Sequence, residues 1–242
     1  MTLRLLLLAG LAFGAAMQEQ AQAQDSPEVT DEGLMRVPSS RKSMVYRLPT
    51  ATFDQYRGIV LDPIKIEFKK GWEREHREMS DRDMEKLRGA LATAFLDELK
   101  RELVTRGGFQ LVDEPARDVL RVSGRLFDTD VTAPKASSLQ GQRTYVRNAG
   151  SMRVEVELRD SQSGLLIGRI VSQEKAPDRH DDLLNDYRRF RLPRTSQPPN
   201  SMVANIADFS LGFANSARYT HEAISVARAA KREEQSRIKS EN

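Results

Sequence analysis

Three histidines, His76, His180 and His221, are the first residues to test for chemistry. They lie far apart, and none belongs to an H-E-x-x-H pair, so the spacing gives no zinc motif. The stretch Asp178-Arg179-His180-Asp181-Asp182 packs one imidazole among carboxylates, an oxygen-rich set of the kind that suits Ca²⁺ or Mg²⁺. It lacks the glycine and the spaced ligands of a calcium loop, and reads as a solvated acidic loop. Ser161 and Ser163 fall in Asp160-Ser161-Gln162-Ser163-Gly164, where Ser and Asp serve a turn by bonding their own backbone. No G-x-S-x-G, G-x-G-x-x-G or P-loop pattern is present. Glu155 and Glu157 share one face of a strand with other charges. A solvated face is the expectation, because a general acid needs burial to raise its pKa. The expectation is therefore no catalytic residue, no cofactor and no metal.

The most unusual local feature is Tyr187-Arg188-Arg189-Phe190-Arg191-Leu192-Pro193-Arg194. Arg188, Arg189, Arg191 and Arg194 with Tyr187 and Phe190 form a candidate interaction surface for phosphates, an anionic lipid surface or an acidic partner. Asp178, Asp181, Asp182 and Asp186 just upstream offer the alternative of a self-balanced exposed loop. Trp72, the only tryptophan, sits at the end of a strand pattern and reads as a packing anchor over the sheet edge.

The chain is 242 residues with 38 Lys plus Arg against 35 Asp plus Glu, a formal charge of +3. That balance is too even for a polybasic nucleic-acid binder. There is no cysteine, which removes disulfides, thiolate metal sites and lipid anchoring through an N-terminal Cys. Residues 1–23 read as an export signal: Arg4, an apolar run from Leu5 to Ala16, and Ala21-Gln22-Ala23 with cleavage after Ala23. The run falls short of the roughly 20 residues that span a bilayer. No other stretch is apolar enough to cross a membrane, so the mature chain is expected to be exported and periplasmic, without a transmembrane segment.

The elements that would position these residues follow from periodicity. Residues 24–43 read as a flexible leader, and Met44 to Arg47 as one short strand. Ile59 and Leu61, then Ile64, Ile66 and Phe68, alternate with polar neighbours and predict a strand bulged at Pro63. Ser80 caps a long helix with Met84, Leu87, Leu91, Phe95, Leu99 and Leu103 on one stripe, closed by Gly107-Gly108. Strands are predicted at Phe109–Val112, Asp118–Phe127, Met152–Leu158 and Leu165–Gln173, the last two as an antiparallel hairpin. Met202, Ile206, Phe209, Phe213 and Ala217 return to helical spacing. The predicted fold is α+β: a single antiparallel-rich sheet of about five strands, a long helix after the first strand, and a C-terminal helix packed on it. One domain over 44–220 is followed by a charged helical or frayed tail, 221–242.

Three blocks, "YRGIVLDPIKIEF" (Tyr56 to Phe68), "GGFQLVDEPARDVLRVSGRLFD" (Gly107 to Asp128) and "GSMRVEVELRDSQSGLLIG" (Gly150 to Gly168), resemble the bacterial domain-of-unknown-function 3313 family, DUF3313. They carry Tyr56, Leu61, Asp62, Pro63, Leu111, Val112, Asp113, Pro115, Glu157, Asp160, Ser161 and Gly164. The resemblance implies an exported or envelope-associated protein and supplies no catalytic residues. Many members carry a lipobox cysteine and end with a "W-A" helix motif. This chain has no cysteine, and its last apolar helix is built on Phe209, Phe213 and Ala214.

These features together point to an exported, non-enzymatic binding or accessory module of the cell envelope. Its expected partner is an envelope protein or an anionic surface rather than nucleic acid. Two alternatives come from other classes. One is an envelope hydrolase assembled from distant residues, such as His180 with Asp62 or Asp113. The other is a structural subunit that oligomerises through its helical C-terminus.

Overall fold

The computed structural model describes residues 28–131, 150–175, 206 and 209–241. Eight strands run β1 (Met35–Val37), β2 (Ser43–Arg47), β3 (Gly58–Leu61), β4 (Lys65–Phe68), β5 (Gln110–Leu111), β6 (Val119–Val131), β7 (Gly150–Asp160) and β8 (Leu166–Lys175). Three helices accompany them: α1 (Trp72–Glu75), α2 (Asp81–Lys100) and α3 (Ser210–Glu241). α2 continues into a π-helical turn, Arg101–Arg106.

The sheet order is β1-β2-β8-β7-β6-β3-β5, with β4 also pairing β6. The α+β class holds, but the expected sheet of about five antiparallel-rich strands is corrected to a mixed sheet of eight. β3 and β4 both lie parallel to β6. Parallel neighbours need a long crossover, which α2 supplies between β4 and β6. The single strand expected across Pro63 is two strands, interrupted between Leu61 and Lys65. Within the expected leader, Met35–Val37 forms an edge strand antiparallel to β2.

α2 forms where its sequence allows. Ser80 caps it by accepting from the Asp83 backbone N–H, and Leu87, Leu91, Phe95 and Leu99 fall on its buried stripe. Gly108, at φ +71°, takes the left-handed turn that ends the π-helical segment. α3 lies beside α2, where the Phe95 and Phe213 rings meet at 5.5 Å. Both helices pack on the side of the sheet that carries Leu120, Val122, Leu126, Val154, Val156 and Ile170. The packed core extends outside 44–220: Leu34, Ile224 and Ala227 are buried. α3 remains helical to Glu241, and its last turns are exposed. No described helix is long and apolar enough to cross a membrane.

Candidate functional site

Period-2 alternation along β6, β7 and β8 turns most of their apolar residues toward the helices and most of their charged residues to the opposite face, with Glu174 of β8 buried on the helix side. Register then decides which charges meet. Arg125 stands opposite Glu155, Ser123 opposite Glu157, and Glu157 opposite Arg169. The ion pairs follow those rows, with Arg125 at 3.0 Å from Glu155 and Arg169 at 2.9 Å from Glu157. Arg159 reaches Glu157 at 2.8 Å and Arg121 reaches Asp62 at 3.2 Å. At the rim, Arg169 also meets Glu32 at 2.7 Å. Apart from Glu32, these side chains, with Lys65 and Glu67, line an open depression of about 710 Å³.

Glu155 and Glu157 are less solvated than their alternation suggests, with side chains 16% and 21% exposed. Burial alone pushes the Glu157 carboxyl up, but the hydrogen bonds from Arg159 and Arg169 outweigh it and hold the group below its ordinary value. Glu32 drops to about 2, chiefly through its hydrogen bond from Arg169. Carboxylates held ionised in this way recognise cationic and hydrogen-bonding groups, and do not donate protons at neutral pH.

The other sequence candidates fall apart in space. His76 stacks on Trp72 at 4.0 Å, its Nδ1 lying 2.8 Å from the Trp72 carbonyl. Trp72 is buried, stacks on Phe68 and donates from Nε1 to the Val131 carbonyl at 2.9 Å, the anchoring role expected of it. His221 lies 3.8 Å from the buried Glu102. Asp62 accepts from the Ser123 hydroxyl at 2.6 Å, and Asp113 is exposed. Ser161 closes a structural bridge: its Oγ accepts from the Ala116 N–H at 3.1 Å and donates to the Ala116 carbonyl at 2.9 Å. Among the described residues, no three His, Asp or Glu side chains cluster as metal ligands. Asp178 to Asp182, Tyr187 to Arg194 and the cleavage site after Ala23 lie outside the described residues.

A family model described as "Protein of unknown function (DUF3313)" matches residues 24–188. The chain belongs to the DUF3313 family. The matched segment of this DUF3313 protein contains the charged face in full, together with the Ser161–Ala116 bridge. No curated protein matches the chain. Among solved structures, it is similar to a PelC dodecamer from Paraburkholderia phytofirmans at 9% identity and a TM-score of 0.35, covering 72% of this chain and 96% of that one. It is also similar to a neuraminyllactose-binding hemagglutinin homologue from Helicobacter pylori, at 12% identity and a TM-score of 0.31, covering 79% of this chain and 95% of that one. At these values the likeness bears on neither site nor partner.

The charged face was only half visible in the sequence. Alternation shows that Arg121, Ser123 and Arg125 share a side, as do Glu155, Glu157 and Arg159. What it lacks is the register that couples them. Arg169 was missed because it lies in a strand read mainly for its apolar residues.

Proposed function

We propose that this chain is a non-catalytic binding module of the bacterial cell envelope, and that the charged face of its sheet is the contact surface. The observation that carries this reading is the coupling of Arg121, Arg125, Arg159 and Arg169 with Asp62, Glu155 and Glu157 over adjacent strands. Side chains fixed by one another and by a sheet lose little freedom on meeting a partner, which favours recognition by complementary charge. The envelope location rests on the export pattern of residues 1–23. Tyr187, Arg188, Arg189, Phe190, Arg191 and Arg194 supply a second basic contact element in the same reading, on sequence grounds.

The test is crosslinking in intact cells followed by mass spectrometry, comparing the native chain with a Lys65→Glu, Arg121→Gln variant. Both positions lie on the face, with Lys65 exposed and the Arg121 side chain 42% exposed, so the variant should retain its melting temperature. One dominant envelope protein, lost from the folded variant, is the expected result. Equal recovery with both chains, or no partner above background, would overturn the reading.

A further inference from the structure

On the other side of the sheet, the helical layer leaves a gap. Between β1–β2 and α3 lies a groove of about 320 Å³ whose walls include Val37, Val45, Phe53, Ile170, Ala223 and Val226. That size is at the small end of ligand pockets, which run from roughly 300 to 1,000 Å³. Val37 pairs with Val45, and Val45 with Ile170, so one apolar row crosses the strands. In the next row, Arg47 faces Gly168, whose missing side chain leaves the floor open. From α3 come Ala223, Val226 and Ala230, small residues at helical spacing that line the groove without filling it. Val226 is 67% exposed.

Arg47 breaks this apolar pattern. Along β2, alternation places it with Ser43 and Val45 on the helix side, where an apolar residue would be expected. Its Nε is shielded from solvent yet has no hydrogen-bond partner, and Arg47 forms no ion pair among the described residues. Among the described residues, the other charged group lining the groove is Glu222, which is exposed and lies 3.7 Å from Arg218 on its own helix. The groove therefore offers an apolar channel with one uncompensated guanidinium at its edge.

We infer that this groove binds a fatty acid, with the alkyl chain along Val45, Ala223 and Val226 and the carboxylate on Arg47. A guanidinium fork matches a carboxylate in two parallel hydrogen bonds. A neutral chain would fill the channel but leave the buried Arg47 N–H unsatisfied. The site is on the opposite side of the sheet from the charged face and does not depend on that face binding a partner.

Calorimetric titration of the full chain with laurate tests the assignment. One saturable site is expected, together with a laurate-dependent rise in melting temperature. Arg47→Gln should weaken binding by at least about tenfold, the loss of a charge-assisted contact. Val226→Glu, at an exposed position that leaves the fold intact, should abolish binding. Dodecyltrimethylammonium, with the same chain length and a cationic head, should not bind. The assignment is overturned by an absence of laurate binding, by binding that both folded variants retain, or by equal uptake of the cationic amphiphile.

Discussion

Tyr56 donates a hydrogen bond of 3.0 Å to the Asp160 carboxylate across 104 positions of sequence. The same carboxylate accepts from the Gln162 and Ser163 backbone N–H groups and from the Ser163 hydroxyl. Next to it, Ser161 bonds both polar backbone groups of Ala116. The three sequence blocks that resemble the DUF3313 family therefore meet at one corner, where the β7–β8 turn is tied to the entries of β3 and β6. On the far side of Tyr56, Arg228 of α3 donates to the Phe53 and Tyr56 carbonyls at 3.2 and 2.7 Å and covers the Phe109 ring at 4.5 Å. The conformation that these blocks specify is an architectural clasp.

Breaking the clasp should cost stability. Tyr56 is 2% exposed, so Tyr56→Phe leaves packing intact and removes one hydrogen bond, for a loss of about 1 kcal/mol. Asp160→Asn gives up a charged acceptor of several bonds and should lose roughly 1.5–3 kcal/mol. The Asp160 carboxyl is held below its ordinary value, first by the Ser163 backbone N–H. Its stabilisation is present above the unfolded value of about 3.9 and is lost as pH falls through the lower folded value. Urea midpoints measured from neutral pH downward should thus converge for native and Asp160→Asn chains in acid. A constant gap would mean that the charge is not what stabilises the turn.

Gly124 marks a close approach of α2 to the sheet. A Cβ built there would lie 2.6 Å from Ile64 Cδ1 and 3.1 Å from Phe95 Cε1. Ile64 can swing its terminal methyl aside, but Phe95 is fully buried against Phe213. Gly124→Ala should therefore destabilise by about 1–3 kcal/mol through overpacking. Adding Phe95→Leu should recover part of the loss, because the clash and the relief share one site. A double-mutant cycle with purely additive costs would contradict the contact.

Arg169 connects Glu32 to the middle of the sheet, and its removal has a local spectroscopic signature. In Arg169→Gln, the Glu32 carboxyl should titrate upward from about 2 toward its ordinary 4.5. Carboxyl-carbon NMR titration measures this directly. Glu32 also accepts from its own backbone and from Thr30, so a partial return is expected. No movement at Glu32 would show that the rim pair is not formed in solution. Because the pair is partly exposed, its effect on melting temperature should be small and sensitive to salt.

The elements that were legible in the sequence are those whose signal is local. Leu87, Leu91, Phe95 and Leu99 specify α2, and the turn at Asp160 to Gly164 specifies the β7–β8 hairpin. Parallel pairing of β3 and β4 with β6 was not legible, because alternation looks the same beside a parallel or an antiparallel neighbour. Met35–Val37 is too short to announce itself, and its pairing depends on β2 already being seated on β8. Arg47 was hidden for a different reason. A basic residue in an alternating segment reads as its solvent half, and only the burial of Ser43 and Val45 places it on the inner side.

Glu174 adds a pH dependence of the opposite sign to that of Asp160. It is 6% exposed on β8, where the small residues Gly212 and Ser216 let α3 approach closely; a Cβ at Gly212 would come 3.0 Å from the Glu174 side chain. Desolvation pushes its carboxyl above the ordinary value, and the hydrogen bonds from Ser216 and Ser172, with the nearby Lys42 charge, offset this only in part. A folded value above the unfolded 4.5 means that the fold prefers the protonated form. The contribution is therefore fully favourable below the unfolded value and is lost as pH rises through the folded one. Glu174→Gln retains the shape and the acceptor for Ser216 without the charge. At neutral pH it should melt higher than the native chain by roughly 2–4 °C, the shift that one kcal/mol gives a chain of this size. The difference should vanish in acid, below about pH 4, where native Glu174 is already neutral. Thermal melts at both pH values decide the matter, and a variant less stable than the native chain at neutral pH would show that the ionised carboxylate is a net asset to the α3–β8 contact.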